Sequence, residues 1–339
     1  MASGGRRSVI HGDVLRVFDL LEGRAHNASE GTESGYFVEI ARADRPGIYL
    51  GVSQAGEKTF IVTSEQSQVP PPPLRLASIA VDYGIECQLR EATSSRLVRV
   101  TVIRCLANEP GIIDVFTAMC AVLANSFNDR VTEREVAEEL RRWSTLFWRL
   151  QERVETDVVG ISGELVAIAA SPNPDLWISA WHSRPNDLLD FIFDEAQVSV
   201  EVKATRSGKR RHTFSLDQIQ TTGSLSRYVA SVPVQFAESG ESLADLIREI
   251  SDRLNNDTSR LKLWEALSQV CGAGLEDVLA RKFDVLAAKA GLAFFSADDI
   301  PSPVVERPFP TGVSRVSFHV DLDGVESFDS QYLDGLILV

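Results

Sequence analysis

Short segments in the first third of the chain mix β-branched, aromatic and polar residues in a pattern that predicts strands. The segment 96–104 has partial period-two character, which is typical of a sheet with one face exposed to water. Four consecutive prolines at 70–73 interrupt the series and predict a stiff connector, because proline fixes the backbone and lacks an amide hydrogen. The strand candidates are residues 36–41, 47–52, 59–62, 79–83, 86–90 and 97–106.

Helical spacing of apolar positions replaces this pattern further along. Residues 112–126 are apolar at helical spacing, and residues 132–154 form a second predicted helix. The second helix opens with Thr132 and Glu135, the spacing of a capping box, in which each side chain accepts a hydrogen bond from the other residue's backbone amide. Residues 1–155 are therefore predicted to form a β-rich domain that ends in two helices.

The middle of the chain predicts the order helix, strand, strand, strand, helix, strand. The first helix covers 159–170, and the second begins at Ser215 with Gln218 at capping-box spacing. We expect a domain of α+β or α/β class over 156–240, followed by a helical C-terminal extension with late strands over 241–339. The remaining strand candidates are 188–193, 198–205, 211–214, 227–237, 293–296 and 313–320, and the later helices are 241–254, 259–270 and 284–292.

Two carboxylates and a lysine occupy positions at which two of these strands can meet. In a hairpin, Asp190 on the first strand lies near Glu201 on the second. Glu201 and Lys203 are two residues apart, so their side chains leave the same face of one strand. Phosphodiester hydrolysis needs an activated water and a stabilised anionic transition state. Carboxylates supply both through a bound divalent cation, and a nearby lysine can orient or deprotonate the water.

This set of residues resembles the PD-(D/E)XK nuclease superfamily. The segment 160–165, the tryptophan-rich segment 177–181, the basic residues after Lys203 and the segment 214–218 are similar to a bacterial PD-(D/E)XK-motif family of unknown function. Members of that family tend to be encoded beside restriction, methylation or phage-defence genes. The resemblance implies a restriction-endonuclease-like core with a mixed central sheet flanked by helices, and a metal-dependent DNA endonuclease activity.

The resemblance also implies individual roles for the site residues. Asp190, Glu201 and Glu164 would bind Mg²⁺ or Mn²⁺. Lys203 would act on the water, and Gln218 would be a further polar residue of the catalytic site.

Each assignment has an alternative. Asp187 follows a proline and an asparagine and competes with Asp190 for the first carboxylate role. Glu164 could instead stabilise the start of its helix through the helix dipole. Gln218 could serve the capping box alone. We expect His212 to be an exposed strand histidine, and the tryptophans at 177 and 181 to be core residues rather than base-stacking platforms.

The charge of the chain argues against strong binding to DNA by the protein alone. The 34 lysines and arginines are outnumbered by 48 acidic residues, giving a net charge of −14. One basic run follows Glu201-Val202-Lys203, the ExK motif, and is predicted to contact the DNA backbone, although it also fits a solvated turn. Its DNA-binding candidates are Arg206, Lys209, Arg210 and Arg211.

Several classes of protein are excluded by missing motifs. The chain has no phosphate-binding loop for nucleotides, no dinucleotide fingerprint, no zinc-protease helix motif and no serine nucleophile elbow. An ATPase or methyltransferase partner would therefore supply such activities, and a homodimer is expected by analogy with paired nuclease cores. Four scattered cysteines, no signal peptide and no long apolar run predict a cytoplasmic protein that is not inserted in a membrane.

Two functions from different classes fit these observations. The first is a Mg²⁺-dependent endonuclease of a restriction or phage-defence system. The second is a catalytically silent subunit that retains the nuclease fold as a scaffold for DNA or a partner, which the net charge of −14 favours.

Overall fold

The computed structural model describes residues 9, 11–25, 38–42, 47–53, 56–91, 94–127, 130–154, 156–181, 188–220, 225–305 and 311–337. The fold is mixed α and β, and the described strands form several separate sheets. The chain divides into two units, one of residues 1–154 with 267–276 and one of residues 155–266 with 277–339. The division at 155 and 240 drawn from the sequence stays a prediction.

The first unit contains a sheet of seven described strands in the order β1-β2-β3-β6-β5-β4, with β7 beside β3. Neighbours along that order are antiparallel, and β7 is parallel to β3. The two strands predicted around residue 84 form one long strand, which is bent by a register shift between Asp82 and Ile85. The strands are β1 (Val38–Arg42), β2 (Ile48–Ser53), β3 (Lys58–Glu65), β4 (Leu74–Arg75), β5 (Ile79–Glu91), β6 (Ser94–Cys105) and β7 (Val131–Thr132).

Three helices of this unit are α1 (His11–Ala25), α2 (Pro110–Ser126) and α3 (Glu133–Arg149). The predicted capping box at the start of α3 is confirmed, because the amide of Glu135 donates to Thr132 Oγ1 at 3.2 Å and the amide of Thr132 donates to Glu135 Oε2 at 2.7 Å. Phe18 of α1 and Phe116 of α2 are both fully buried and lie 6.3 Å apart between ring centres. An apolar interface between the first two helices therefore contributes to the core.

The second unit contains the residues of chemical interest. Its elements before residue 254 are α4 (Val158–Ala170), α5 (Pro174–Ala180), β8 (Phe191–Phe193), β9 (Val198–Thr205), β10 (Arg211–Ser215), α6 (Leu216–Ile219), β11 (Ser226–Pro233), β12 (Phe236–Ser242) and α7 (Leu243–Arg253). Helices α8 (Asp257–Cys271) and α9 (Leu275–Leu279) contribute residues to both units. The later elements are β13 (Lys282–Phe283), α10 (Val285–Ala290), β14 (Ala293–Ser296), β15 (Ser317–Asp321) and α11 (Ser330–Ile337).

Several boundaries differ from the sequence prediction. Helix α5 is an addition, capped by Asn173, whose Oδ1 accepts from the amide of Leu176 at 3.4 Å. The strand predicted over 227–237 is two strands, since β11 ends at Pro233 and the next strand pairs elsewhere, with β13. The strand predicted from 313 begins at Ser317.

The principal sheet of this unit has the order β14-β11-β9-β8. Its central pair, β9 and β11, is parallel, and both outer pairs are antiparallel. Strands β10 and β15 form a separate antiparallel pair. The sheet is therefore mixed, as the sequence analysis expects.

Helices cover one face of this principal sheet. Helix α4 approaches β9 closely at Gly163, where a Cβ atom would lie 2.8 Å from the Cβ of Ala204. Trp177 of α5 packs against Phe191 and Phe294, with ring centres 4.9 and 6.2 Å away. These contacts place an apolar layer between the helices and the sheet.

The opposite face is covered by the β10–β15 pair. Phe214 of β10 and Val320 of β15 belong to one apolar cluster with Val229 and Phe295 of the sheet. Val229 is the register partner of Glu201, so the motif glutamate lies on this second face. The polar site is consequently built between the principal sheet and the β10–β15 pair.

The expectation that His212 is exposed is wrong, because only 5% of the residue is accessible. Residues along β10 alternate between exposed and buried, and His212 shares the buried side with Phe214. Within the described ranges, every helix is too short or too polar to cross a lipid bilayer.

Candidate active site

The first carboxylate of the site lies at the start of the hairpin formed by β8 and β9. Phe191 pairs with Val200 in the antiparallel register, and the same register continued by one residue sets Asp190 opposite Glu201. Asp190 itself precedes β8, and its Oδ2 accepts a hydrogen bond from the amide of Val202 at 2.7 Å. That bond fixes the carboxylate beside the ExK strand.

Glu201, Lys203 and Gln218 form a hydrogen-bonded cluster. Lys203 Nζ lies 2.6 Å from Glu201 Oε1, and the amide nitrogen of Gln218 donates to the same oxygen. Lys203 Nζ is also 3.5 Å from Gln218 Oε1, which accepts from the amide of Ser215 at 2.9 Å. Gln218 therefore caps the short helix α6 and also binds the motif glutamate, and its role in catalysis stays a prediction.

One oxygen of this cluster has no partner. Glu201 is 3% exposed, and its Oε2 makes no hydrogen bond with any residue in the described part of the chain. A buried carboxylate oxygen without a donor is costly, and natural structures keep few such atoms. The arrangement is that of a ligand atom for a cation or a water.

Burial and the charges of neighbouring carboxylates raise the pKa values of Asp190 and Glu201. For Asp190 burial is the largest cause, followed by the charges of Glu201 and Glu164, and the pKa lies well above its usual range. Burial also raises the pKa of Glu201, and Lys203 opposes that effect. The three carboxylates thus act on one another, and the single lysine leaves an excess of negative charge.

Glu164 reaches this group from helix α4. The indole nitrogen of Trp181 donates to Glu164 Oε2 at 2.6 Å, and the charge of Glu164 raises the pKa of both strand carboxyls. The prediction that Trp177 and Trp181 are core residues is confirmed, since at most 1% of either is accessible. Trp181 thus also binds a candidate site residue, a contact that its apolar context in the sequence does not indicate.

The donor atoms fit a hard divalent cation. Three carboxylates without imidazole or thiolate are the ligand set of Mg²⁺ or Mn²⁺ rather than of zinc or copper. Among the described residues, no group of three or more His, Cys, Asp or Glu side chains is gathered closely enough to enclose a metal by itself. Two or three carboxylates completed by water and substrate oxygens are nevertheless the usual environment of Mg²⁺. The unpartnered oxygen of Glu201 supports this fit.

A neutral histidine borders the site. His212 Nε2 lies 2.8 Å from the Oγ of Ser231, which is the register partner of Lys203. Burial, with smaller contributions from the charges of Lys203 and Arg210, lowers the pKa of His212 to about 4. The ring therefore carries no charge at neutral pH.

The residues of the basic run have different environments. Arg206 is exposed, with its guanidinium 5.8 Å from the ring centre of Phe236, and Lys209 is also exposed. Arg211 is paired with Asp321 at 2.9 Å. Arg210 is half-buried and donates to the carbonyls of residues 231 and 291 at 2.8 and 2.5 Å. Arg206 and Lys209 are thus exposed, whereas the exposed Arg211 is engaged by Asp321, and DNA binding by the run stays a prediction.

Asp187 and the rest of the segment 182–187 lie outside the described residues. Two features of the site are missed by the sequence analysis. One is the buried contact of His212 described above, and the alternation of residues 211–215 could have indicated it. The other is Arg315, whose positive charge acts on Glu201 from the segment before β15, and no local pattern points to it.

A mixed sheet that carries an Asp immediately before one strand of a hairpin and an ExK motif on the other strand is consistent with a PD-(D/E)XK-like fold. Residues 19–323 match the family model described as "Putative PD-(D/E)XK family member, (DUF4420)". The chain belongs to this family, as the resemblance drawn from the motifs predicts. No curated protein and no solved structure matches the chain significantly.

Proposed function

We propose that the protein is a metal-dependent deoxyribonuclease that hydrolyses DNA phosphodiester bonds as part of a bacterial restriction or phage-defence system. The observation that carries the proposal is the buried Glu201 carboxylate, which has one oxygen held by Lys203 and Gln218 and the other without a partner. The order α4, β8, β9, β10, α6, β11 supports a restriction-endonuclease-like core around it.

In this proposal Asp190 and Glu201 hold a Mg²⁺ or Mn²⁺ ion, with Glu164 as a third ligand or as a holder of bound water. Such an ion polarises a phosphoryl oxygen and lowers the pKa of bound water. Metal binding requires ionised carboxylates, so their raised pKa values make the affinity for metal pH-dependent. Glu201 also orients the Lys203 ammonium group.

Lys203 contributes a proton donor beside the carboxylates. Its Nζ is held within bonding distance of Glu201 and near Gln218, so little conformational freedom is lost when it binds a water or a phosphate oxygen. Removing a general acid–base group of this kind costs about 10²–10⁴-fold in rate. The neutral His212 ring adds no competing charge at neutral pH.

Two exposed cations near the site offer contacts to DNA. Arg206 and Lys209 are exposed cations that follow the ExK strand and could contact backbone phosphates without sequence preference. The net charge of −14 favours delivery to DNA by a partner, such as an ATPase or a methyltransferase, or by a second copy of the chain. The four cysteines, none of which forms a disulfide, support a location in the reducing cytoplasm.

A cleavage assay tests the activity. Supercoiled and linear DNA, methylated and unmethylated, are incubated with Mg²⁺, Mn²⁺ or EDTA and with wild type, Asp190→Ala, Lys203→Ala or the control Lys282→Ala. Lys282 is an exposed strand lysine outside the site. Cutting that requires metal, is lost in the two site variants and is kept in the control supports the nuclease.

A catalytically silent scaffold is the alternative, and the net charge of −14 favours it. Equal binding of DNA or a partner by all four proteins, with no cutting under any condition, would support that alternative. RNA cleavage in the same assay would instead change the substrate and keep the metal chemistry.

A further inference from the structure

The segment that precedes β15 brings an arginine to the site from more than a hundred residues away. Ser317 pairs with Ser215, and the pairing continues through a hydrogen bond from the amide of Leu216 to the carbonyl of Val316 at 2.8 Å. The next residue in this direction is Arg315, which therefore lies beside the single turn of α6. That turn carries Gln218, the residue that holds the motif glutamate.

Arg315 is exposed, and its guanidinium makes no hydrogen bond or ion pair with any other described residue. The backbone pairing still places Arg315 beside the turn that carries Gln218, whose side chain binds Glu201. Two other arginines near this edge are already engaged. Arg210 is bound to backbone carbonyls, and Arg211 is paired with Asp321. Arg315 thus brings an unengaged positive charge to the border of a strongly acidic site.

A role in neutralising Glu201 does not explain the position of Arg315. A structural counter-ion would lie within bonding distance of the carboxylate, yet Lys203 occupies one oxygen of Glu201 and the other has no partner. A ligand that carries negative charge on several oxygens would explain the position better. A planar guanidinium with its forked donors matches a phosphate group in this way, and it does so better than an ammonium group.

We infer that Arg315 binds a backbone phosphate of the nucleic-acid strand that enters the site, on the side of α6. This inference rests on the proposed function and adds a substrate contact to it. The arginine and the metal-binding carboxylates would then hold neighbouring parts of one strand. It would also offset the repulsion between the acidic site and the phosphates.

The test measures DNA binding in the Glu201→Gln background, which removes the charge that Arg315 could otherwise merely neutralise. Fluorescence anisotropy with a fluorescein-labelled duplex and a labelled single strand, in EDTA, gives the affinity at a series of salt concentrations. The second substitutions are Arg315→Ala, Arg315→Lys and the control Arg248→Ala. Arg248 lies on α7, which packs on the opposite side of the sheet through α4, and removing it changes the net charge equally.

We expect Arg315→Ala to weaken binding about tenfold and to reduce the salt-dependence slope by about 0.9, the value for one lost phosphate contact on duplex DNA. Arg315→Lys should recover part of the affinity, and the control should retain nearly all of it. An unchanged affinity and slope in Arg315→Ala would overturn the inference. So would an effect that occurs with Glu201 present and disappears in the Glu201→Gln background, or failure of the parent to bind either probe.

Failure of this inference can be distinguished from failure of the proposed function. Metal-dependent cleavage by wild type with no effect of Arg315 on binding keeps the nuclease and removes the phosphate contact. Loss of binding in Arg315→Ala, with no cleavage by wild type under any condition, keeps the contact and removes the hydrolysis.

Discussion

The substitution Asp190→Asn should stabilise the protein when no metal is present. The asparagine can still accept the hydrogen bond from the amide of Val202, and it removes one of three carboxylates that repel one another. Cross-strand neighbours have Cβ atoms about 5 Å apart, so we take about 6 Å between the two charges, which at an effective dielectric constant of about 20 is a repulsion of about 3 kcal/mol. Lys203 offsets part of it, so we expect a gain of about 1–2 kcal/mol in the free energy of unfolding.

Mg²⁺ should make wild type more stable than Asp190→Asn, which reverses the order expected without metal. A ligand at about one hundred times its dissociation constant stabilises the native state by about 2.7 kcal/mol, and the variant should gain much less because it lacks a ligand oxygen. Thermal unfolding of both proteins in EDTA and in Mg²⁺ measures the effect, with about 2–4 °C expected per kcal/mol. Lower stability of Asp190→Asn in EDTA, together with equal stabilisation of both proteins by Mg²⁺, would refute the reasoning.

The pH dependence of the metal-free protein provides a second measurement of the same repulsion. Because the folded-state pKa values of Asp190 and Glu201 are raised, the native state binds more protons than the unfolded state. Their contribution to stability is therefore fully present below the ordinary carboxyl pKa and is lost as the pH rises through the raised values. The loss should be smaller in Asp190→Asn, and an identical pH profile for the two proteins would contradict the assignment.

Three further predictions follow from the same contacts. Because the pKa of His212 is lowered to about 4, its contribution to stability should be lost as the pH falls from about 6.5 towards 4. The stability of His212→Asn, measured by unfolding across that pH range, should therefore depend less on acid than that of wild type. Gly163→Ala should lower the free energy of unfolding by about 0–2 kcal/mol, because overpacking against Ala204 exceeds the gain in helix propensity. Gly335→Ala, with open space around it, should raise the free energy of unfolding by up to about 1 kcal/mol, and chemical denaturation measures both changes. Gln218→Ala should lower the cleavage rate about tenfold or more through the loosened glutamate, and an unchanged rate would restrict Gln218 to its capping role.

The local sequence pattern predicts both ends of the strand that carries the ExK motif, but it does not predict the elements around that strand correctly. The run 198–205 is rich in β-branched residues, and β9 has those bounds. The prolines near α5 suggest a break in the chain rather than a helix. Pro174 is nevertheless tolerated, because it occupies the first helical position, where its missing amide hydrogen costs nothing. The run 227–237 looks continuous, although Pro233 ends β11 and the chain then pairs with a different strand.

The candidate site likewise contains contacts that the sequence predicts and contacts that it does not. Asp190 and Glu201 belong to one hairpin, so the spacing of the motif suffices to bring them together. The alternation along β10 indicates that His212 and Phe214 share a face, but the strand that covers this face and the approach of Arg315 depend on the pairing of β10 with β15. No local signal encodes a contact between segments that far apart, because either strand could satisfy its backbone groups with many partners.

The β10–β15 pair also has a consequence for synthesis of the chain. Arg211 and Asp321, which face each other across this pair, are 110 residues apart. The motif residues leave the ribosome long before the strand that covers their side of the sheet, so the carboxylates and the lysine remain open to water in the nascent chain. A candidate site assembled in this order is complete only after β15 has been synthesised, and chains released earlier would lack both the covering strand and Arg315.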